Sequence, residues 1–209
     1  MASAIIHICV AKKINEKLKR DEHVFFLGAI APDISKLIGE TKEKSHFLTT
    51  TKRNVPNILE FMKKYKNDLN HDFELGYFIH LYTDKLWFDV FIDRYVLGDS
   101  IRLLDGTKVP MSEEEAYYFV YNDYTNLNIQ LLDEYQLDLS LFYLPVCYPD
   151  TKIDEIPVDK LQILVDKMSL IIKNSTQNVS YMFDMSTVKQ FIEEASEIIY
   201  KKLIEFHII

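Results

Sequence analysis

Apolar positions recur at a helical period along nearly the whole chain. Within residues 3–20, His7, Ala11, Ile14 and Leu18 follow one another at spacings of 4, 3 and 4, which places them on a single helix face. Ile6, Val10 and Lys13 line up beside them, and Lys12, Asn15, Glu16 and Lys19 take the opposite side. The pattern predicts a half-buried helix with His7 pointing inward. An apolar segment at 24–31 stops at Pro32-Asp33, because proline disfavours helix in the residue before it. Asp33 therefore ends a buried segment, where an unpaired carboxylate is costly. A further helix is expected from about Val55 to Leu69, with Asn54 placed to cap it ahead of Pro56.

Residues 73–97 carry the strongest apolar pattern, with Leu75, Phe78, Ile79, Leu81, Leu86, Trp87, Phe88 and Phe91 covering every side. A helix apolar all round belongs at the centre of a bundle. His80 and Asp84 interrupt it, one turn apart on the same face. After a turn at Gly98-Asp99 and a polar loop holding Asp105-Gly106, a helix runs from about Ser112 to Tyr135, opened by a capping box of Ser112 and Glu115. Pro145, Pro149 and Pro157 mark an irregular connection over 140–157, and two helices, about 158–174 and 185–206, close the chain. The expectation is an all-α multi-helix bundle forming one domain over 1–209.

Composition supports that reading. Of 209 residues, 48% are hydrophobic and 27% charged, which excludes intrinsic disorder, and only 5 Gly and 6 Pro punctuate the chain. No apolar run approaches the ~18 residues of a membrane span. A net charge of −8 argues against stable binding to a nucleic-acid backbone. Cys9 and Cys147 are too few for a disulfide framework, and the histidine within Ile5–Val10 does not suit a secretory signal. The chain reads as cytoplasmic.

Chemistry concentrates in His7, Asp33, His46, His80 and Asp84. Residues i and i+4 on a helix have Cβ atoms about 5–6 Å apart, so His80 and Asp84 can converge on one small volume. Imidazole nitrogen and carboxylate oxygen both suit Zn²⁺, and a carboxylate can bridge two ions. Each residue alone has an ordinary alternative. His80 and Asp84 can simply hydrogen-bond one another, and His7 can be a core histidine bonded to a carbonyl. Asp33 can cap or turn the next segment, and His46 can lie on the surface. Trp87 and Phe91 continue the His80/Asp84 face and are expected to wall a substrate pocket and exclude water. His71-Asp72 is the dipeptide of HD-type phosphohydrolases, but its polar setting reads as an interhelical loop with Asp72 as a helix cap.

Taken in order, His7, Gly28-Ala29-Ile30-Ala31-Pro32-Asp33, Ser45-His46-Phe47 and Gly76-Tyr77-Phe78-Ile79-His80-Leu81-Tyr82-Thr83-Asp84 resemble the zinc-dependent phospholipase C family. The opening Met-Ala-Ser-Ala-Ile-Ile-His looks like that of its short bacterial members. The single-strand-specific zinc nucleases are more distant relatives of similar all-helical fold. The resemblance covers roughly residues 1–95, with the rest of the chain as helical completion. It implies that Asp33, His46 and His80 hold one zinc ion, that Asp84 bridges to a second, and that His7 binds the second. It further implies hydrolysis of a small or lipid-like phosphoester by metal-activated water, with Asp33 orienting or deprotonating the water. Two departures stand out. Direct ligation by the N-terminus, a family feature, is not expected here. After Asp84 the only histidine is His207, so the family's His-x-x-x-Glu site for a third ion is missing. That absence leaves a helical scaffold or binding protein without catalysis as the alternative. One or two zinc ions, or other divalent transition metals such as Mn, Fe or Ni, are the expected complement.

Overall fold

Ser3 opens the first helix, α1 (Ala4–Leu18), by accepting the Ile6 N–H on its hydroxyl. The computed structural model describes residues 2–48, 55–138, 140–173 and 179–209. Helix α1 has the predicted buried face, with one correction: Asn15 is also buried. Its amide turns back on the chain that leaves the helix, accepting the Arg20 N–H at 2.7 Å and donating to the Arg20 carbonyl at 3.2 Å. Asp21 then caps α2 (Glu22–Ile30) through the Val24 N–H. The helix breaks where Pro32 requires, and Ala31–Asp33 form a 3-10 turn leading into α3 (Ile34–Leu37) and α4 (Lys42–Ser45).

Helix α5 (Ile58–Tyr65) is shorter than the sequence pattern suggests and continues as a 3-10 turn over Lys66–Asp68. Its cap is Asn57, which accepts the Leu59 and Glu60 N–H groups, while Asn54 lies outside the described residues. Helix α6 (Asp72–Leu86) is the centre of the bundle and is buried on every side from Phe73 to Asp84. Its cap position is His71, not Asp72. The Asp72 carboxylate instead takes the Asp21 N–H and pairs with Arg20. Beyond Leu86 the chain widens into a π-turn, Trp87–Phe91, and a 3-10 turn, Ile92–Arg94.

The loop around Asp105-Gly106 corrects the all-helical expectation locally. It is the turn of a small antiparallel hairpin, β1 (Ser100–Arg102) with β2 (Lys108–Pro110), in the register Ile101 opposite Val109. The predicted capping box then starts α7 (Glu113–Glu134), with Ser112 and Glu115 bonded reciprocally. A short α8 (Ser140–Tyr143) precedes the proline-rich connection. Helix α9 (Leu161–Lys173) follows, and α10 (Met185–Glu205) is capped by Asp184 on the Thr187 N–H. The architecture is therefore mostly helical with two short strands.

Helix α6 lies against α2, while α1 packs on α2, α6 and α10 and also meets α7. The α2–α6 contact is closest at two glycines. A Cβ on Gly28 would fall 2.2 Å from the Phe73 carbonyl oxygen, and one on Gly76 would fall 2.1 Å from the Phe25 carbonyl oxygen. The backbones meet there without side chains between them, which brings the end of α2 within hydrogen-bonding reach of α6.

A buried carboxylate ties the C-terminal part to this frame. Asp123 on α7 is fully buried and accepts the backbone N–H groups of Tyr181, Met182 and Phe183 at 2.8, 2.6 and 3.1 Å. Asn in its place would turn an amide N–H toward backbone donors and lose the charge-assisted bonds. Asp123→Asn is therefore expected to cost about 2–4 kcal/mol of stability, read as a lower urea midpoint at unchanged slope.

Candidate metal centre

Four separate stretches of chain deliver side chains to one buried volume beside the α2–α6 contact. Helix α6 contributes His80 and Asp84, and α1 contributes His7. The 3-10 turn contributes Asp33, and the residue closing α4 contributes His46. His7, His80 and Asp84 are wholly buried, His46 is nearly so, and Asp33 alone reaches toward solvent. Two three-residue groups with ligand atoms within 4.8 Å of one another result: His7, His80 and Asp84, and Asp33, His46 and His80. His80 belongs to both.

The ring orientations have local causes. His80 Nδ1 donates to the Ala29 carbonyl at 2.8 Å, which leaves Nε2 with its lone pair facing the site. This bond depends on the glycine contact between α2 and α6. His46 Nδ1 lies 2.9 Å from the Ser45 hydroxyl, and the Ser45 carbonyl is held by the Tyr77 hydroxyl at 2.5 Å. Immediately after His46 the chain reverses through Phe47, whose φ of 52° is the left-handed region. Edge-to-face contacts with Phe61 and Tyr65 hold Phe47 there. The His7 and His80 rings stack with centroids 3.7 Å apart and planes inclined by 11°.

The spacing between donor atoms suits a metal ion. Ligands held tetrahedrally at the ~2.0–2.1 Å of zinc–nitrogen bonds stand ~3.3–3.4 Å apart. His80 Nε2 and His46 Nε2 are 3.2 Å apart, and His46 Nε2 and Asp33 Oδ1 are 3.6 Å apart. Asp84 Oδ2 lies 3.7 Å from both His46 Nε2 and His80 Nε2, and His7 Nε2 is 3.3 Å from Asp84 Oδ1. Both His7 ring nitrogens and Asp84 Oδ2 are buried without a hydrogen-bond partner, although His7 Nε2 is in ion-pair range of Asp84. Buried polar atoms are rarely left so, and a cation satisfies Asp84 Oδ2 and one of the two His7 nitrogens. The residues present fit such an ion.

The ordinary alternatives fit these residues less well, and His80 Nε2, 3.7 Å from Asp84 Oδ2, is beyond hydrogen-bond reach of it. Asp33 occupies a helix-cap position but makes no cap bond. His7 has no carbonyl partner, and His46 is not on the surface. His71 and Asp72 belong to neither ligand group. Trp87 and Phe91, expected as pocket walls, stack on each other at 4.3 Å and meet Phe183 and Phe191 in the core instead. The cavity that does open beside the centre, of about 200 Å³, reaches Ala2 and Asp33 on one side and Tyr124, Asn128, Leu164 and Met168 on the other.

Several site residues were not anticipated. The Lys42 ammonium pairs with Asp33 Oδ1 at 2.8 Å. The N-terminal segment also takes part, since Ala2 donates its backbone N–H to Asp84 Oδ1 at 3.0 Å. The Ser3 hydroxyl anchors that segment to Asn128 on α7 at 2.8 Å. A signal for Lys42 was present in the sequence, because it stands one helical turn before His46.

Protonation follows the geometry. Burial holds the His80 and His46 rings below the ordinary histidine value; the neighbouring His7 ring adds to this at His80 and the Lys42 ammonium at His46. Burial would raise the Asp33 carboxyl, but the Lys42 ammonium and the neighbouring His46 ring outweigh it and hold Asp33 well below the carboxylate range. Burial opposes ionisation of Asp84 too, yet the His7 ring 3.3 Å away outweighs it and keeps the carboxyl depressed. Neutral imidazoles and ionised carboxylates are the forms that ligate metals.

These shifts fix a pH dependence. Below about pH 6.5 the unfolded chain protonates two histidines that the folded, metal-stripped protein keeps neutral, so stability falls with falling pH. Near pH 4 and below, the depressed carboxylates act in the same direction. The urea midpoint of metal-stripped protein is expected to drop between pH 7.5 and 5.5. The limit is about 1.4 kcal/mol per pH unit for each histidine. A flat profile would contradict the buried, neutral assignment.

Fold and site together define a mostly helical protein with two overlapping His/Asp groups at its centre that could hold a metal ion. No family model, curated protein or solved structure matches the chain.

Proposed function

We propose that this protein is a metal-dependent hydrolase of phosphoesters, binding one or two zinc ions or a related divalent transition metal through His7, Asp33, His46, His80 and Asp84. The observation that carries the reading is the convergence of five buried or half-buried ligands, from four separate stretches of chain, into two groups sharing His80. The same five residues in the same order carry the resemblance to the zinc-dependent phospholipase C family. A bound divalent ion lowers the pKa of water toward ~7 and offsets charge developing on a phosphoryl group.

The chain's own residues do the rest. Ala29 and Ser45 fix the His80 and His46 rings, so the ligand geometry is in place before any ion arrives. Asp33, part exposed and facing the cavity, is the group placed to orient an attacking water. Its depressed pKa makes it an ionised hydrogen-bond acceptor and a weak proton acceptor. The substrate enters from the cavity at Asp33, the one member of the set that reaches toward solvent. The setting is read as cytoplasmic, where free thiols such as Cys9 and Cys147 persist. No helix among the described residues is long and apolar enough to cross a membrane.

Two observations favour a second reading, a metal-binding helical scaffold without turnover. Lys42 already neutralises Asp33, and the sequence lacks the family's His-x-x-x-Glu site. Zinc-replete protein assayed on bis-p-nitrophenyl phosphate, p-nitrophenyl phosphate and a choline phospholipid separates the two. The hydrolase reading expects phosphodiester turnover that a chelator abolishes and zinc restores. No turnover at full zinc occupancy would sink it in favour of the scaffold.

A further inference from the structure

The cavity at Asp33 has a charge and shape of its own. Its charged lining residues are Asp33, Lys36 on α3 and Lys167 on α9. Among the described residues, neither lysine is ion-paired with a carboxylate. Asp33, the one acid on the wall, is already engaged by Lys42 and by the ligand group. Lys36 is exposed as a residue, but its ammonium loses part of its solvation at the cavity and feels Lys42, and both effects lower its pKa. A concentration of positive charge beside a cavity, with its only acid committed elsewhere, is stabilised by an anion. The remaining wall is mostly apolar and aromatic, with Leu37, Tyr124, Leu164 and Met168 prominent beside the polar Ser3, Thr125 and Asn128. At about 200 Å³ the space is below the ~300–1,000 Å³ of pockets for larger ligands, so it takes one short chain or one ring.

We propose that this cavity is the substrate pocket of the metal centre and selects an organic phosphate bearing one short or single-ring apolar substituent. The anion lies toward Lys36 and Lys167, and the substituent lies among Leu37, Tyr124, Leu164 and Met168. A two-chain lipid does not fit. The assignment rests on the hydrolase reading only in taking the anion to be a phosphate.

The test is calorimetric binding of inorganic phosphate and of phenylphosphonate, whose C–P bond resists hydrolysis, to zinc-loaded protein. Phenylphosphonate is expected to bind about tenfold or more tightly than phosphate, as burial of an aromatic ring requires. The double variant Lys36→Gln/Lys167→Gln, at exposed positions that leave the core intact, should weaken both ligands about tenfold while zinc content stays at the wild-type value. Leu37→Ala, which trims a half-buried wall residue, should leave phosphate binding unchanged and reduce the preference for the ring. Equal affinity for the two ligands, or unchanged affinity in the lysine variant, overturns the pocket assignment. The two readings fail separately. Turnover of a phosphodiester with no effect of these variants leaves the hydrolase standing without this pocket. Selective phenylphosphonate binding without turnover leaves the pocket standing and removes the hydrolase.

Discussion

His80→Ala is expected to remove bound metal altogether, not merely half of it. His80 is the residue common to both ligand groups, so its loss leaves His7 with Asp84 and Asp33 with His46 as two-residue remnants. Two protein ligands fall short of the three that catalytic zinc sites keep. Any phosphodiester turnover should disappear with the metal. The variant also opens space in a packed centre and leaves the Ala29 carbonyl without its donor, so it should lose some stability as well. His80→Asn separates the two effects, because an amide can still reach Ala29 but ligates zinc poorly. Elemental analysis of both variants, beside a urea titration, is the check. Metal retained at the wild-type level in His80→Asn would show that the centre does not depend on this ring.

The second large effect lies outside the ligand set. Gly76→Ala places a methyl group 2.1 Å from the Phe25 carbonyl oxygen and close to the backbone of Gly28 and Ala29. The neighbours are backbone atoms and cannot swing aside, so α2 and α6 must separate. Overpacking of this kind costs roughly 1–3 kcal/mol or more. Separation also lengthens the 2.8 Å bond between His80 and Ala29, which fixes the His80 ring. Loss of such an outer partner weakens metal affinity about 10–100-fold. Gly76→Ala should therefore lower the urea midpoint and, where folded, bind zinc more weakly in competition with a chelator. A zinc affinity equal to wild type would break the proposed link between helix contact and ring orientation.

Much of this was legible in the sequence because helical periodicity is local. The all-round apolar run of α6, the break at Pro32 and the Ser112–Glu115 capping box each declare themselves within a few residues. The His80/Asp84 pair was legible for the same reason. Grouping them with His7, Asp33 and His46 needed the motif order, since nothing in spacing alone brings four stretches together. The hairpin β1–β2 escaped notice because its strands are three residues each, too short for a two-residue alternation to stand out.

Trp87 and Phe91 were misplaced for a different reason. Projection along a regular helix puts them on the His80/Asp84 face, but the chain leaves the α-helical period after Leu86 and the π-turn carries their rings to Phe183 and Phe191. The cavity was illegible because its lining comes from α1, α3, α7 and α9. None of those helices advertises a ligand by itself. Tyr124 and Met168 read in sequence as ordinary members of helices.

Crystals grown with zinc and measured on both sides of its absorption edge test the centre most directly. The expected result is one or two anomalous peaks, with His80 Nε2 about 2.0–2.1 Å from a peak and Asp84, His46, Asp33 or His7 completing its shell. Absence of any peak near His80, or a peak held by surface residues alone, would contradict the account.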